Sequence, residues 1–296
     1  MKAFRIVFCL LLLGFFQQES FAQLTHTGEE GFKEWQKERE EEVLNEDGWL
    51  NLAGLEWLSD GEFYLNEKEE KLALETSAES NNLGYFSVGG DSVWFMPSPN
   101  IQKKHGLAAK ALQYPEENYG ELAVEIGKWK WSVIERGGLF GVRVRNLEHP
   151  ALDAFEGIPV LEYNPEWNIS AKFLPRFNQS IPITNVLGQV NEWNVMGVIQ
   201  FSYQGKEYEL ITLEEEGKLW VIFSDESNVE ATYPSGRYLY VGYPDSKGNL
   251  NLDFNYAYNP PCAFTAFATC PIPPPENRLD FSILAGEMLP EVVEGH

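Results

Sequence analysis

The spacing of apolar residues changes near Gly48 and separates one predicted helix from a long series of predicted strands. Before this point, Thr27 and Glu30 have the spacing of an N-terminal capping box. The residues that follow recur three or four apart on one helical face: Phe32, Trp35, Arg39 and Val43. We therefore expect an N-terminal amphipathic helix of about four turns, packed against a larger body.

After Gly48, short apolar runs alternate with glycine-rich turns, which is typical of antiparallel β structure. Trp129, Trp131 and Val133 fall on one face of their strand. The predicted strands cover residues 84–88, 92–96, 122–126, 128–134, 139–145, 195–203, 207–213, 219–223, 237–243, 250–255 and 279–284. The chain is therefore predicted to be mostly β, an antiparallel barrel or barrel-like sandwich with the helix outside it.

The first 22 residues have the layout of a secretory signal peptide. Lys2 and Arg5 precede an apolar run over residues 6–16, and Ser20-Phe21-Ala22 supplies the small residues of a cleavage site. The apolar run is too short for a permanent membrane span. We expect cleavage after Ala22 and an exported protein, periplasmic or extracellular, with no stable membrane anchor.

The remaining chain, residues 23–296, is interpreted as a single mostly-β domain. A sub-boundary around residues 146–190 is the alternative, because the predicted strands are less regular there. Removing Lys2, Arg5 and Glu19 leaves 20 basic and 44 acidic residues, a net charge of −24. Such a charge repels nucleic acid and anionic lipid, so neither is an expected partner.

Motifs with a known catalytic mechanism are absent from the sequence. It has no G-x-S-x-G, P-loop, G-x-G-x-x-G or H-E-x-x-H pattern. Its four histidines are distant from one another in sequence: His26, His105, His149 and His296. We therefore predict no metal site, and the sequence identifies no cofactor.

The most distinctive segment runs from Asp253 to Asn277. Its prolines fix the backbone, so the segment can hold polar side chains in set directions. Asn255, Tyr258 and Asn259 are candidate ligand-binding residues, and Asp253 is the candidate that orients a ligand or accepts a proton. The structural alternative is that Asp253 and Asn255 cap turns while the tyrosines pack.

Cys262 and Cys270 have three interpretations. An oxidising compartment permits a disulfide that closes a short loop. Two buried thiols are the second interpretation. The third is chemistry, for which the segment lacks a neighbouring histidine for a nucleophile and supplies only two of about four metal ligands.

Arg143 and Arg145 are alternate residues of one predicted strand, so their guanidinium groups share a face. A planar guanidinium suits a carboxylate or phosphate, and the pair is a candidate anion site. The alternative is a solvated face neutralised by neighbouring glutamates.

The aromatic content admits sugar stacking, since the chain has nine tryptophans and thirteen tyrosines. The strand patterns, however, place most tryptophans in the core, including Trp49, Trp57, Trp129 and Trp131. Carboxylates are so numerous that no glycosidase pair can be selected from the sequence.

Several segments of the sequence form a recognisable set: Gly48-Trp49-Leu50 with Gly54 to Leu58, Phe140 to Arg145, Tyr233-Pro234 with Gly236-Arg237-Tyr238, and Asp253 to Phe264 with Cys270-Pro271 and Glu276 to Leu279. Together these segments resemble a family catalogued as domain of unknown function 1684. The resemblance covers nearly all of residues 23–296, and it implies no established activity. Relatives without a signal peptide would keep the cysteines reduced, so the resemblance leaves disulfide and thiols open. It also implies kinship with flavin-binding split barrels.

The leading functional hypothesis is a small-molecule-binding or hydrolytic protein with an anion-holding site. That site is lined by Arg143, Arg145, Asp253, Asn255, Tyr258 and the segment from Asn259 to Cys262. The alternatives are a non-catalytic envelope protein with an interaction or structural role, and a flavin-binding protein. The sequence leaves open whether the protein is an enzyme.

Overall fold

The computed structural model describes residues 26–69, 71–115, 124–215 and 217–290. The predicted signal peptide lies outside these ranges. The helices are α1 (Gly28–Leu44), α2 (Pro99–His105) and α3 (Pro150–Ala154), with 3-10 turns at Pro165–Trp167, Phe254–Tyr256, Pro261–Ala263 and Pro275–Asn277. Within the described part of the chain, no helix combines the length and apolar character that crossing a membrane requires.

The strands dominate the described residues. They are β1 (Leu52–Leu58), β2 (Gly61–Lys68), β3 (Lys71–Glu75), β4 (Asn82–Gly89), β5 (Ser92–Pro97), β6 (Ala111–Tyr114), β7 (Val124–Ile126), β8 (Trp129–Arg136), β9 (Leu139–Asn146), β10 (Asn168–Thr184), β11 (Val190–Tyr203), β12 (Lys206–Glu215), β13 (Lys218–Phe223), β14 (Arg237–Val241) and β15 (Asn249–Asp253).

These strands form three antiparallel sheets in the described ranges. Sheet I has the order β1-β9-β8-β7, sheet II the order β3-β2-β4-β5-β6, and sheet III the order β14-β13-β12-β11-β10-β15. One of the three is a half-barrel. The prediction of a mostly β fold with an N-terminal helix is thereby confirmed.

Sheets I and II enclose one core. The Phe95 and Trp131 rings pack in a T-shaped arrangement with their centroids 5.0 Å apart. Trp129 and Val133 from the same face of β8 join it, together with Val142 and other buried residues of both sheets. The two tryptophans of β8 are core residues, as the alternating pattern predicted.

Sheet III buries apolar residues on both faces. Alternate residues of its strands enter two different clusters, so that Val221 and Leu239 lie on one side while Trp220 and Tyr238 lie on the other. On the first side the α1 residue Phe32 contacts the Tyr256 ring, with centroids 5.9 Å apart. The helix therefore packs by the face that its spacing predicted.

Three local predictions need correction. Thr27 forms no side-chain capping hydrogen bond at the start of α1. Residues 279–284 are not a strand, because this segment crosses strand ends by single contacts such as the Leu279 N–H to the Ser224 carbonyl at 2.8 Å. The region that looked irregular contains the 17-residue β10, which a bulge between Pro175 and Gln179 interrupts.

Candidate functional site

A cavity of about 560 Å³ lies where sheet I, sheet III, α1 and the segment after Tyr258 meet. Aromatic side chains from several of these elements line it: Trp49, Trp193, Trp220, Tyr238, Tyr240 and Tyr258. Because small-molecule sites favour concave, largely apolar junctions with a few polar groups, this is the candidate site.

The aromatic wall of the cavity belongs mostly to sheet III. The Trp193 and Trp220 rings lie with centroids 5.3 Å apart, and Tyr240 stacks on Tyr258 at 5.5 Å. The Trp220 Nε1–H donates to the Tyr258 hydroxyl at 3.0 Å. Burial raises the pKa of Tyr258 well above its ordinary value, so this phenol stays protonated and holds the wall in place.

Two tryptophans of the cavity remain half-buried, Trp49 and Trp193. Trp49 lies in the connection from α1 to β1, whereas Trp193 comes from β11. The sequence placed Trp49 in the core, and this holds in part, because the ring packs against the buried cluster that contains Val43 and Leu50 but also lines the cavity. These two rings offer apolar surface to a ligand from two different parts of the molecule.

Arg143 and Arg145 are both buried, so the interpretation as a solvated face is wrong. Their Cζ atoms lie 5.3 and 5.9 Å from the centroid of the Trp49 ring, within cation–π range. Arg145 donates to the Gly48 carbonyl and, at 2.9 Å, to Asn51 Oδ1. Only Arg143 of the pair lines the cavity, while Arg145 holds the connection that carries Trp49.

A third buried arginine, Arg39 of α1, also lines the cavity. Its Nε donates to Glu287 Oε1 at 2.9 Å, and its Cζ lies 4.7 Å from the Tyr258 ring centroid. Glu287 Oε2 in turn accepts the Asn259 backbone N–H at 2.7 Å. The sequence signal for this role was a charged residue on the buried face of the predicted helix.

Asp253 and Asn255 lie outside the cavity lining. Asn255 donates its backbone N–H and its Nδ2 to Asp253 Oδ1 at 3.1 and 2.7 Å. Its amide also exchanges two hydrogen bonds, both 2.9 Å long, with the backbone of Asn164. Burial raises the pKa of Asp253. These contacts match the turn-capping alternative, and the structure does not bring the two residues to Arg143.

Tyr258 and Asn259 do line the cavity with Arg143. Cys262 and Cys270 form a disulfide with Cα atoms 6.1 Å apart. Cys270 is part of the cavity wall, whereas Cys262 is outside it and its carbonyl accepts the Tyr233 hydroxyl at 3.1 Å. The predicted site is therefore divided, with Arg143, Tyr258 and Asn259 together and Arg145, Asp253, Asn255 and Cys262 elsewhere.

Charges of both signs face the cavity. On sheet III, Glu215 Oε2 accepts the Tyr240 hydroxyl at 2.7 Å. Arg143 and Arg136 come from the opposite wall, on sheet I. Within the ranges that the structure describes, no group of three or more His, Cys, Asp or Glu residues is placed to hold a metal ion. The cavity therefore presents cationic and carboxylate groups beside its aromatic rings.

Comparison with family models gives one match, which covers slightly less than half of the chain. Residues 153–288 match the model described as protein of unknown function (DUF1684). The match confirms the resemblance over these residues. It includes sheet III and the disulfide segment, whereas Arg39, Trp49 and Arg143 lie before it. No curated protein matches the chain.

One solved structure that is similar to the chain is the solution NMR structure of an uncharacterized protein of Haloarcula marismortui. The two sequences are 26% identical, the TM-score is 0.39, and the alignment covers 46% of this chain and 78% of that chain.

Proposed function

We propose that the protein binds a small, ring-bearing organic acid in this cavity. The observation that carries the proposal is the meeting of Arg143 with the half-buried Trp49 and Trp193 in one cavity. The rings supply apolar area at low entropic cost, and the guanidinium supplies the fork that a carboxylate fits. The volume of about 560 Å³ is within the range of sites for single small molecules.

The Arg143 guanidinium is set in place before a ligand arrives. It is buried on β9 and lies over the Trp49 ring, which Arg145 holds from the same strand through Gly48 and Asn51. A cation held in advance loses little freedom on binding, so more of its interaction with the acid appears as affinity.

Binding of a panel of ring-bearing carboxylates, followed by calorimetry and tryptophan fluorescence, tests the proposal. Arg143→Gln should weaken binding more than tenfold, since a hydrogen bond to a charged group contributes about 1.5–3 kcal/mol. Trp193→Ala should weaken it as well. The matched control is Trp94→Ala, a tryptophan of β5 outside the cavity lining. Equal affinity of Arg143→Gln and the unchanged protein would contradict the role of Arg143.

Export is proposed on the signal-peptide layout of residues 1–22. Expression of the full chain should then give a periplasmic or secreted product whose intact mass begins at Gln23. A cytoplasmic product that retains Met1 would contradict it. The same mass, measured under native conditions, also reveals any ligand that the protein keeps through purification.

The two other functions have separate tests. A bound flavin would give the purified protein visible absorbance. The flavin hypothesis would be contradicted by a colourless protein that retains no visible absorbance after incubation with flavin and removal of the unbound flavin. An envelope interaction role would leave the cavity without a small-molecule ligand. Substitutions at Trp193 and Arg143 would then leave the function of the protein unchanged.

A further inference from the structure

Two polar side chains of the cavity wall have no hydrogen-bonding partner among the described residues. They are the amide of Asn191 and the hydroxyl of Thr269. We propose that the ligand is a sugar acid, a hydroxylated ring that carries one carboxylate. This inference rests on the proposed function and specifies the chemical class of the ligand.

Asn191 lies on the cavity side of β11. It pairs with Ile183, and Trp193 two residues later shares its face. Ile183 and Trp193 both belong to the cluster on the cavity side of sheet III. The amide of Asn191 is therefore next to the ring on which we expect the ligand to stack.

Thr269 reaches the same end of the cavity from the disulfide segment. The next residue, Cys270, accepts the Val186 N–H on its carbonyl at 3.0 Å, and Pro271 forms a bridge with Asn185. Val186 and Asn185 lie in the turn that joins β10 to β11. This pairing brings Thr269 to the turn from which β11, and with it Asn191, begins.

A ligand without hydroxyl groups would displace water from Asn191 and Thr269 without forming hydrogen bonds to replace those of the water. A buried polar group that loses its partner disfavours binding, and a site built to hydrogen-bond a hydroxyl rejects analogues that lack it. An amide and a hydroxyl each donate and accept, as a sugar hydroxyl does, whereas an ammonium group only donates.

The carboxylates of the cavity limit the charge of the ligand. Glu192 and Glu215 line it from sheet III and Glu135 from sheet I, and Glu42 lies beside Arg39. A single carboxylate can meet Arg143 at the opposite wall. A ligand with several phosphate charges would also meet Glu215, since the cavity spans both walls. Sugar hydroxyls, in contrast, can donate to Glu215.

Three six-membered-ring probes separate the contributions of the carboxylate and of the hydroxyl groups to binding affinity. D-glucuronate has the carboxylate and the hydroxyls, D-glucose lacks the carboxylate, and cyclohexanecarboxylate lacks the hydroxyls. Calorimetry should rank D-glucuronate first. Asn191→Leu and Thr269→Val should each weaken D-glucuronate about fivefold to tenfold, the value of one hydrogen bond. Neither should weaken cyclohexanecarboxylate. Unchanged cyclohexanecarboxylate binding shows that both variants are folded, and Thr269→Ser, which keeps the hydroxyl, should bind D-glucuronate more tightly than Thr269→Val does.

The outcomes of this experiment distinguish failure of the sugar-acid inference from failure of the proposed function on which it rests. Suppose that cyclohexanecarboxylate binds as tightly as D-glucuronate and that Asn191→Leu changes the affinity for both to the same extent. The assignment of the ligand as a sugar acid is then wrong, while the proposal that the cavity binds an organic acid stands. If D-glucose equals D-glucuronate, the hydroxyl contacts stand and the acid-binding role of Arg143 fails. If none of the three probes binds, both ideas are overturned.

Discussion

Arg39 places a charge on the face of α1 that otherwise buries Phe32 and Val43. Its guanidinium meets Glu287, which is almost fully buried, and the pair connects the helix to the segment that ends the described chain. A buried ion pair stabilises little relative to apolar residues of similar size, but losing one partner is costly because the other charge stays buried. The pair therefore fixes where α1 lies on the cavity.

Arg39→Met should lower the free energy of unfolding by about 3–5 kcal/mol, because it leaves Glu287 without its cation. The double variant Arg39→Met with Glu287→Leu should recover part of this loss. Denaturant titration of the two single variants and the double variant gives the coupling energy. Additive effects would show that the two residues act independently.

Asp253 is a carboxyl that burial makes harder to ionise. Its pKa is raised above the ordinary 3.8, so the folded protein binds this proton more tightly than the unfolded chain does. The associated stability is present below 3.8 and is lost as the pH rises through the folded pKa. Asp253→Asn should consequently gain in melting temperature relative to the unchanged protein as the pH rises.

Thermal melts between about pH 3 and pH 7 measure this difference. Ligand affinity should be unchanged in Asp253→Asn, because Asp253 is outside the cavity lining. A loss of affinity without a loss of stability would restore the role that the sequence suggested for Asp253.

Arg143, Arg145 and Trp49 show which features of a single residue can be predicted from the sequence. Strand alternation correctly placed Arg143 and Arg145 on one face. It could not predict that Trp49 would cover that face, since Trp49 belongs to a connection whose path depends on α1 and β1 packing first. Local periodicity determines the direction of a side chain, whereas the whole fold determines its neighbours.

Among the elements, the disulfide segment is the one that joins stability to the cavity. Cys262–Cys270 closes a short loop, and Cys270 and Pro271 form part of the cavity wall. The Tyr238 hydroxyl donates to the Pro271 carbonyl at 2.8 Å, which ties the segment to β14. A looser segment would therefore shift a wall of the site.

Cys262→Ser with Cys270→Ser should lower the free energy of unfolding by about 2–3 kcal/mol, from the closure entropy of a loop this short. Ligand affinity should fall too, because the wall at Thr269 must be ordered on binding. Denaturant titration and calorimetry of the double variant provide both values. Reduction of the unchanged protein should reproduce both effects, and an unchanged affinity would separate the disulfide from the site.

Regular hairpins were the elements that the sequence predicted best. The turn at Gly89-Gly90 between β4 and β5 and the one at Gln204-Gly205 between β11 and β12 have strong local signals. β10 was missed because only residues 168–173 alternate polar and apolar, while the prolines and mostly exposed residues that follow interrupt this pattern. The segment over residues 279–284 has strand composition but lies against strand ends, which only the tertiary structure decides.

At the scale of the whole molecule, the cavity collects residues that are far apart in sequence. Arg39, Arg143, Trp193 and Tyr258 come from a helix, two sheets and a proline-rich segment. The sequence supplied some of the residues that meet there, among them Arg143, Tyr258 and Asn259, but joined them to Asp253 and Asn255 because those are neighbours of Tyr258 along the chain. Proximity in sequence therefore did not predict which residues meet in the cavity, because the cavity forms where separate parts of the fold come together.

The overall charge bears on how an acidic ligand reaches this junction. The full sequence carries a net charge of −23, so its long-range field repels an anion, while Arg143 attracts it only over a short distance. Salt screens the long-range repulsion, since the Debye length falls from about 30 Å at 0.01 M to about 10 Å at 0.1 M. Association of D-glucuronate should therefore become faster as salt is added.

Stopped-flow tryptophan fluorescence across this range of salt gives the association and dissociation rate constants separately. The dissociation rate should also rise, because salt weakens the contact with Arg143, although less so for a buried group. In Arg143→Gln the association rate should keep its salt dependence, because the net charge of the whole protein still dominates. Slower association with added salt would instead mean that Arg136 and Arg143 attract the anion at the cavity entrance despite the acidic surface.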